Sequence, residues 1–178
     1  MFFLVIFKTY FAYFLLYFCT GHRGNQEARQ LRWGDIKIAE DEYGRFLQFR
    51  ERTTKTRQGE NGASRDSPPR AYENSHNPER CPVRLYEIYR DCRPEKMCQN
   101  DSPFYLAVNN MIVDPTNRKM WFKCGPIGKN ALGEFMKKMS QEAGINGKFA
   151  NHTARKTSIT NLLQAGMPPT LTKNISGH

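Results

Sequence analysis

The first nineteen residues are the segment that most constrains how this chain can fold. Residues 1–19 contain nine Phe or Tyr and a single charge, Lys8. The run is long enough to span a membrane, but a charge at membrane depth is costly and the aromatic residues do not gather at its two ends. A signal peptide fits poorly because no basic region precedes the run and no small-residue cleavage site follows it. We expect a helix buried in a core, with a membrane span as the open alternative.

Charge and cysteine content narrow the class of protein. Lys and Arg outnumber Asp and Glu by 27 to 17, and the resulting net charge of +10 favours a polyanionic partner. The five cysteines have no C-x-x-C pair and no histidine at zinc-finger spacing. We therefore predict no disulfide framework, no metal site and an intracellular location. A length of 178 residues suits one domain, and the abrupt start inside an apolar element predicts that residues 1–178 are a truncated one.

The chain after the apolar run predicts a short helix, a β-hairpin and a long loop. Residues 24–33 have the spacing of a helix. Residues 35–49 alternate apolar and polar side chains on either side of a polar turn, which is a hairpin pattern. Gly, Ser, Pro, Asn and charged residues fill positions 53–77, so we expect a loop there, with a flexible segment over 58–80.

The second half of the chain predicts helices. A helix over 83–91 opens at Cys81-Pro82 and stops at Arg93-Pro94. Residues 94–125 show no regular pattern, so we expect irregular structure there, apart from a short strand over 102–108. Three further helical patterns follow, over 130–143, 152–164 and 170–175. Asn151 is the expected N-cap of the second pattern, and Ile159, Leu162 and Leu163 are its expected buried face.

Four short motifs occur in a fixed order along the chain. They are Thr20-Gly21-His22-Arg23, then Lys55, then His152-Thr153-Ala154-Arg155, and finally Gly177-His178. Together they resemble the active-site boxes of a tyrosine recombinase. The string that continues from Arg23 through Glu27, Leu31, Trp33 and Asp35 is similar to the first arginine box of the phage-integrase superfamily. Glu27 lies four positions after Arg23, where the superfamily pattern has three, so this box contains one inserted residue.

The residues around Arg23, Lys55 and His152 look closest to the Crypton-type branch of that superfamily. This branch includes eukaryotic DNA transposons and the related C-terminal domains of zinc finger MYM-type and glutamine-rich proteins. The resemblance runs from about residue 10 to the end of the chain. It implies the catalytic core of DNA breaking-rejoining enzymes, a mainly helical α+β fold with a small antiparallel sheet near residues 35–57.

The resemblance also implies a role for each site residue. Arg23 and Arg155 would clamp the scissile phosphate, because a planar guanidinium donates two hydrogen bonds to phosphate oxygens. Lys55 would protonate the leaving 5′ oxygen, and His152 would exchange a proton with the nucleophile or support it by a hydrogen bond. His178 would donate a further hydrogen bond to the phosphate. Such a site works through cations, without a metal or a cofactor.

The nucleophile of the family is a tyrosine that forms a 3′-phosphotyrosyl intermediate. The family places it shortly after the Gly-His box, whereas all eight tyrosines of this chain lie at or before Tyr105. Two nuclear functions stay open. One is a DNA recombination and integration domain that acts as a multimer on duplex DNA, with its tyrosine beyond His178. The other is a domesticated, inactive fold that binds DNA or serves as a scaffold in chromatin or transcription complexes. A membrane protein is the third and weakest hypothesis.

Overall fold

The computed structural model describes residues 25–50, 70–109, 111 and 116–176. Over these residues the chain contains α-helices and two small antiparallel sheets, which confirms the α+β class. The predicted buried helix over 1–19 and most of the predicted flexible loop lie outside the described residues. Of the helices in the described ranges, none is long and apolar enough to cross a membrane.

The first described helix, α1, spans Asn25–Gln30 and confirms the short helix predicted at this place, although it ends earlier. It ends early because the chain then forms a β-bridge between Arg32 and Pro103. Residues Trp33–Asp35 make a turn of 3-10 helix. One carboxylate oxygen of Asp35 accepts a hydrogen bond from the Arg32 N–H at 2.8 Å, which fixes the start of this turn.

Strands β1 (Ile36–Asp41) and β2 (Gly44–Phe49) form the predicted hairpin. They pair antiparallel, with Ile36 opposite Phe49 and Asp41 opposite Gly44, so two residues make the turn. Gly44 has a φ of +113°, a conformation that other residues adopt only at a cost. The turn chemistry and the alternation therefore set this register together.

A third strand, β3 (Arg70–Tyr72), extends the sheet in the order β1-β2-β3. It corrects the loop prediction, because the end of the predicted loop contains β3 and a 3-10 turn over Pro78–Arg80. A strand of three residues is too short to show alternation. Pairing with β2 holds it in place, with Ala71 opposite Leu47.

Helix α2 spans Pro82–Cys92 and confirms the helix predicted over 83–91. Cys81 is its N-cap, and its sulfur accepts a hydrogen bond from the Arg84 N–H at 3.5 Å. Pro82 suits the first position because its missing N–H would have no partner within the helix. The helix ends at Cys92, and Arg93 is its C-cap.

An aromatic cluster around Trp33 forms the centre of the hydrophobic core. The Trp33 ring is stacked on Tyr86 at 5.0 Å and on Phe104 at 5.6 Å, measured between ring centres. Tyr89 meets Trp33 edge-on at 6.3 Å and contacts Phe122 at 5.1 Å. Such aromatic pairs contribute about 0.5–1.5 kcal/mol each beyond the area they bury. The cluster therefore joins the segment after α1 to α2 and, through Phe122, to the second sheet.

Strands β4 (Leu106–Val108) and β5 (Phe122–Pro126) form a second antiparallel sheet with an irregular register. Strand β4 confirms the end of the strand predicted over 102–108. Strand β5 shows that the prediction of irregular structure up to residue 125 was wrong in its last part. Its sequence contains Gly and Pro and lacks regular alternation, so the partner strand decides its conformation.

The helix predicted over 130–143 consists of two helices, α3 (Lys129–Gly133) and α4 (Phe135–Glu142). They meet at Glu134, directly after a glycine, the residue with the lowest helix propensity apart from proline. The predicted apolar stripe is confirmed for Leu132 and Phe135, which are both buried. Gly144 follows α4 with a φ of +66°, as expected for a glycine that ends a helix.

Helices α5 (Asn151–Gln164) and α6 (Pro169–Ser176) confirm the last two helical patterns. The N-cap of α5 is Ala150 and not the predicted Asn151, because the hydroxyl of Thr153 accepts a hydrogen bond from the Ala150 N–H at 3.1 Å.

The expected buried face of α5 is incorrect in part. Ile159 and Leu162 are half-buried, and Leu163 is 44% exposed. None of the α5 side chains that the structure describes is buried. The helix packs mainly against α4 and α6, which leaves this face partly open to solvent.

Candidate nucleic-acid interface

Two of the five predicted site residues fall on a described element. His152 is the second residue of α5, and Arg155 is one helical turn further along the same helix. The His152 side chain is exposed. Arg23, Lys55 and His178 lie outside the described residues, so it stays a prediction that they form one site with His152.

The surroundings of His152 suit an anion. It lies in the first turn of a helix of 14 residues, where backbone N–H groups and the helix dipole both favour negative charge. Thr153 holds this turn through two hydrogen bonds with Ala150, because its N–H also donates to the Ala150 carbonyl at 2.8 Å. An exposed imidazole at such a position can donate a hydrogen bond to a phosphate oxygen.

The described part of the first arginine box is structural. Leu31, Trp33 and Asp35 are all buried. Leu31 and Trp33 belong to the hydrophobic core, and Asp35 fixes the turn that follows Leu31. Arg23 precedes α1 by two residues in the sequence and lies outside the described residues. The sequence identified Leu31, Trp33 and Asp35 only as part of a motif, and their burial was not predicted.

The predicted position of Lys55 is in the connection between β2 and β3. The structure defines the two ends of this connection, because Gln48 pairs with Arg70 across the two strands. Lys55 belongs to the segment of the sequence that connects these two ends and lies outside the described residues.

The described chain consists of one part with no net charge and one part with a large positive charge. We call residues 25–50 and 70–109 the aromatic half, since they contain all of the aromatic cluster except Phe122, and residues 116–176 the basic half. The aromatic half has eleven Lys or Arg and eleven Asp or Glu, so its formal charge is zero. The basic half has ten Lys or Arg and two Glu, a formal charge of +8. The short motifs do not reveal this difference in charge, whereas the number of charged residues along the sequence does.

Ion pairs neutralise part of the aromatic half. Arg45 pairs with Glu73 at 3.4 Å and with Glu87 at 2.5 Å, and its hydrogen bond to Glu87 raises the pKa of the Arg45 guanidinium. Arg70 pairs with Asp41 at 2.8 Å. Within the described residues of the basic half, Lys138 and Glu134 form the one ion pair, at 3.7 Å. The described basic half thus has one ion pair, whereas four ion pairs occur among the described residues of the aromatic half.

Exposed lysines occur on successive elements of the basic half. Helices α3, α4 and α5 pack on one another in chain order. The exposed lysines on or between these elements and β5 are Lys123, Lys129, Lys137, Lys148 and Lys156. A lysine ammonium is a compact charge that contacts a phosphate without reading a base. These residues can therefore supply affinity for a nucleic-acid backbone.

Metal-ligating groups and thiols show no comparable cluster. Across the described ranges, no group of three or more His, Cys, Asp or Glu side chains is arranged to hold a metal ion. Cys81 and Cys92 are buried in the core, while Cys124 is exposed on β5.

Three mammalian relatives share a segment with this chain. Over 64 residues the chain is 30% identical to the Transcriptional regulator QRICH1 of Homo sapiens, and the Mus musculus and Bos taurus proteins match equally. The match covers 36% of this chain and 8% of each relative, so the chain corresponds to a small part of those proteins. No solved structure matches the chain.

A family model covers most of the described fold. Residues 10–141 match the family described as Domain of unknown function (DUF3504), a range that includes α1, both sheets, α2 and α3. Helix α5, with His152 and Arg155, follows the matched range. Because the match covers well over half of its length, the chain belongs to the DUF3504 family.

Proposed function

We propose that this chain is a DNA-binding module with a recombinase-like fold that serves transcription or chromatin complexes in the nucleus. The observation that carries the proposal is the basic half, where ten Lys or Arg accompany two Glu. A surface of this composition attracts the phosphates of duplex DNA and displaces the cations condensed on them. Contacts of this kind give affinity with little sequence preference.

The similarity to transcriptional regulators supports the nuclear part of the proposal. It also favours a binding role over strand cleavage, because the three relatives are named as transcriptional regulators. We further propose that residues 1–178 act as one domain. The support for this is a single cluster of buried residues that extends from Ala28 to Phe135 and so includes both halves.

A phosphate site formed by the predicted residues would give the module a defined point of contact. Arg23 and Arg155 would hold one phosphate between two guanidinium groups, and His152 and His178 would add hydrogen bonds. Lys55 would bring a further charge from the connection between β2 and β3. The exposed side chain of His152 in the first turn of α5 supports this arrangement.

Site-specific recombination is the second candidate function. The order of Arg23, Lys55, His152, Arg155 and His178 along the chain favours it, since that order matches the family's boxes. It requires a tyrosine beyond His178 to attack the phosphate and a multimer to exchange strands.

Fluorescence anisotropy with a labelled duplex tests DNA binding. We expect affinity to fall steeply between 50 and 200 mM salt, by orders of magnitude if about six phosphates are contacted. The double variant Lys137→Ala/Lys148→Ala should reduce the slope of log affinity against log salt by about 1.8. The matched control Arg80→Ala/Arg84→Ala removes two exposed cations from the aromatic half and should leave the slope unchanged. Equal effects of the two double variants would refute the basic half as the interface.

A nicked suicide substrate distinguishes the two candidate functions. A module that only binds DNA forms no covalent adduct with such a substrate, even when the reading frame is extended past His178. An adduct that disappears when a tyrosine in that extension is changed to Phe would replace the binding function with recombination.

A further inference from the structure

Arg93 is a buried cation whose hydrogen-bond partners among the described residues are all neutral. Its side chain is fully buried directly after α2. One terminal nitrogen, Nη1, donates to the Phe104 carbonyl at 2.6 Å and to the Tyr89 hydroxyl at 3.1 Å. The other, Nη2, donates to the carbonyls of Met97 and Pro103 at 2.6 and 2.8 Å, and Nε donates again to Met97 at 3.2 Å. Burial lowers the pKa of this guanidinium, so these acceptors must offset the cost of desolvation.

The carbonyls that Arg93 contacts belong to the segment that holds the end of the first arginine box. The Trp33 N–H donates to the Ser102 carbonyl at 2.8 Å, and the Gly34 N–H donates to the Asn100 carbonyl at 2.9 Å. The Phe104 N–H donates to the Leu31 carbonyl at 2.9 Å. Residues 31–34 and 100–104 therefore form one hydrogen-bonded pair of segments.

The guanidinium of Arg93 also contacts the box directly. Its central carbon lies 4.1 Å from the centre of the Trp33 ring, within the range of a cation–π interaction. The backbone approach at this place is close, because a Cβ atom on Gly34 would lie 2.9 Å from the Asn100 side chain. Arg93 thus contacts residues 97–104 through their backbone carbonyls and residues 31–34 through the indole ring of Trp33.

We propose that Arg93 is a positioning residue that locks residues 31–34 onto residues 97–104 and so fixes the position of α1, the helix that follows the predicted phosphate ligand Arg23 in the sequence. This inference rests on the proposed function for its effect on DNA, and on the contacts above for its effect on α1. Leu31 directly follows α1, and Ala28 and Leu31 are both buried, so the position of residues 31–34 constrains the position of the helix.

A lysine cannot replace Arg93 in this role. The planar fork of arginine reaches carbonyls in two directions while its face covers an indole ring, whereas an ammonium group lacks this geometry. Arg93→Lys retains the charge and removes the geometry. Arg90→Lys is the matched control, because Arg90 is exposed on the same helix and makes no contact with Trp33 among the described residues.

Hydrogen exchange measures the positioning without DNA. In Arg93→Lys we expect the amides of Trp33, Gly34 and Phe104 to exchange about tenfold faster, while those of α5 stay unchanged. In a Trp121→Phe background, the fluorescence of Trp33 should also shift, because its cation is displaced. Unchanged exchange and fluorescence would overturn the proposal. If Arg93→Lys does not fold, Tyr89→Phe, which removes one acceptor, gives the same test.

A double-mutant cycle with Arg23 measures the effect on DNA binding. Arg93→Lys should weaken binding of the labelled duplex roughly tenfold in the wild-type chain and have no effect in an Arg23→Ala background. An equal loss in both backgrounds would show that Arg93 does not act through Arg23. If the wild-type chain binds no DNA, the proposed function fails, and the exchange result still decides whether Arg93 positions α1.

Discussion

The aromatic half and the basic half differ in what stabilises them. Of the 21 buried apolar side chains in the described residues, 17 lie in the aromatic half and four, Phe122, Ile127, Leu132 and Phe135, lie in the basic half. The aromatic half is also neutral and contains most of the ion pairs. The basic half has a large excess of positive charge and little apolar burial after Phe135.

This difference suits the aromatic half to stabilising the fold and the basic half to binding an anion. Burial of apolar surface is the main favourable term in folding, so the aromatic half supplies most of the stability. Excess positive charge destabilises a compact state through self-repulsion and attracts polyanions. Bound DNA would remove that repulsion, which is why a thinly packed, cationic region suits a binding surface. We expect α5 and α6 to open at a lower free energy than α2 in the absence of DNA.

The largest expected difference between the halves is in the cost of removing an apolar side chain. Trp33→Ala should lower the free energy of unfolding by about 3–5 kcal/mol, because the ring is stacked on Tyr86 and Phe104. Leu163→Ala in α5 should cost less than about 0.5 kcal/mol, since Leu163 is 44% exposed. Urea denaturation measures both. Similar losses would mean that α5 is as well packed as the aromatic half.

Alkaline pH should weaken the aromatic half selectively. Burial raises the pKa of Tyr86 to about 12, and the basic half contains no tyrosine. Between pH 10 and 12 the unfolded chain releases this proton while the folded chain retains it, so the free energy of unfolding falls with rising pH. The loss attributable to Tyr86 is about 2–3 kcal/mol. Tyr86→Phe should flatten the profile in that window, and an unchanged profile would contradict the assignment.

A smaller effect is expected from the buried hydroxyl of Tyr89. It donates to the Phe104 carbonyl at 2.6 Å and accepts from Arg93 at 3.1 Å and from the Leu106 N–H at 3.2 Å. Tyr89→Phe leaves two buried donors short of an acceptor and should cost about 2 kcal/mol. Tyr72→Phe, which removes an exposed hydroxyl bonded to Asp41, is the control and should be nearly neutral in a thermal melt. Equal losses would show that burial of the network does not matter.

The smallest expected effect probes the basic half through a glycine. Gly144 has a φ of +66°, and nothing lies within 4 Å of an added Cβ atom. Gly144→Ala should therefore cost about 1 kcal/mol through backbone strain alone. Gly125→Ala has the same open space without a positive φ and should cause no loss. Limited proteolysis near α4 and α5 reports the change, and equal cleavage of the two variants would contradict it.

Local patterns predicted the elements whose signals are complete in the sequence. The hairpin was predictable because Gly44 permits the turn and the strands alternate on either side of it. Helix α2 was predictable because Pro82 suits its first turn and Pro94 follows its end. Strands β3 and β5 were not, since their conformation depends on hydrogen bonds to distant strands. The exposure of Leu163 was not predicted for a similar reason, because it depends on which helices pack against α5.

The sequence by itself determined the α+β class, the order of the helices, the excess of positive charge after residue 116 and the order of the five predicted phosphate-binding residues. The order of the helices and the excess of charge follow from composition, spacing and local turn chemistry, whereas the α+β class and the five phosphate-binding residues are what the family resemblance implies. Only the tertiary structure decided that Leu31, Trp33 and Asp35 are all buried, and that Arg93 is buried against Trp33. A charged residue becomes a core residue only when acceptors from distant parts of the chain converge on it, and no local pattern specifies that convergence.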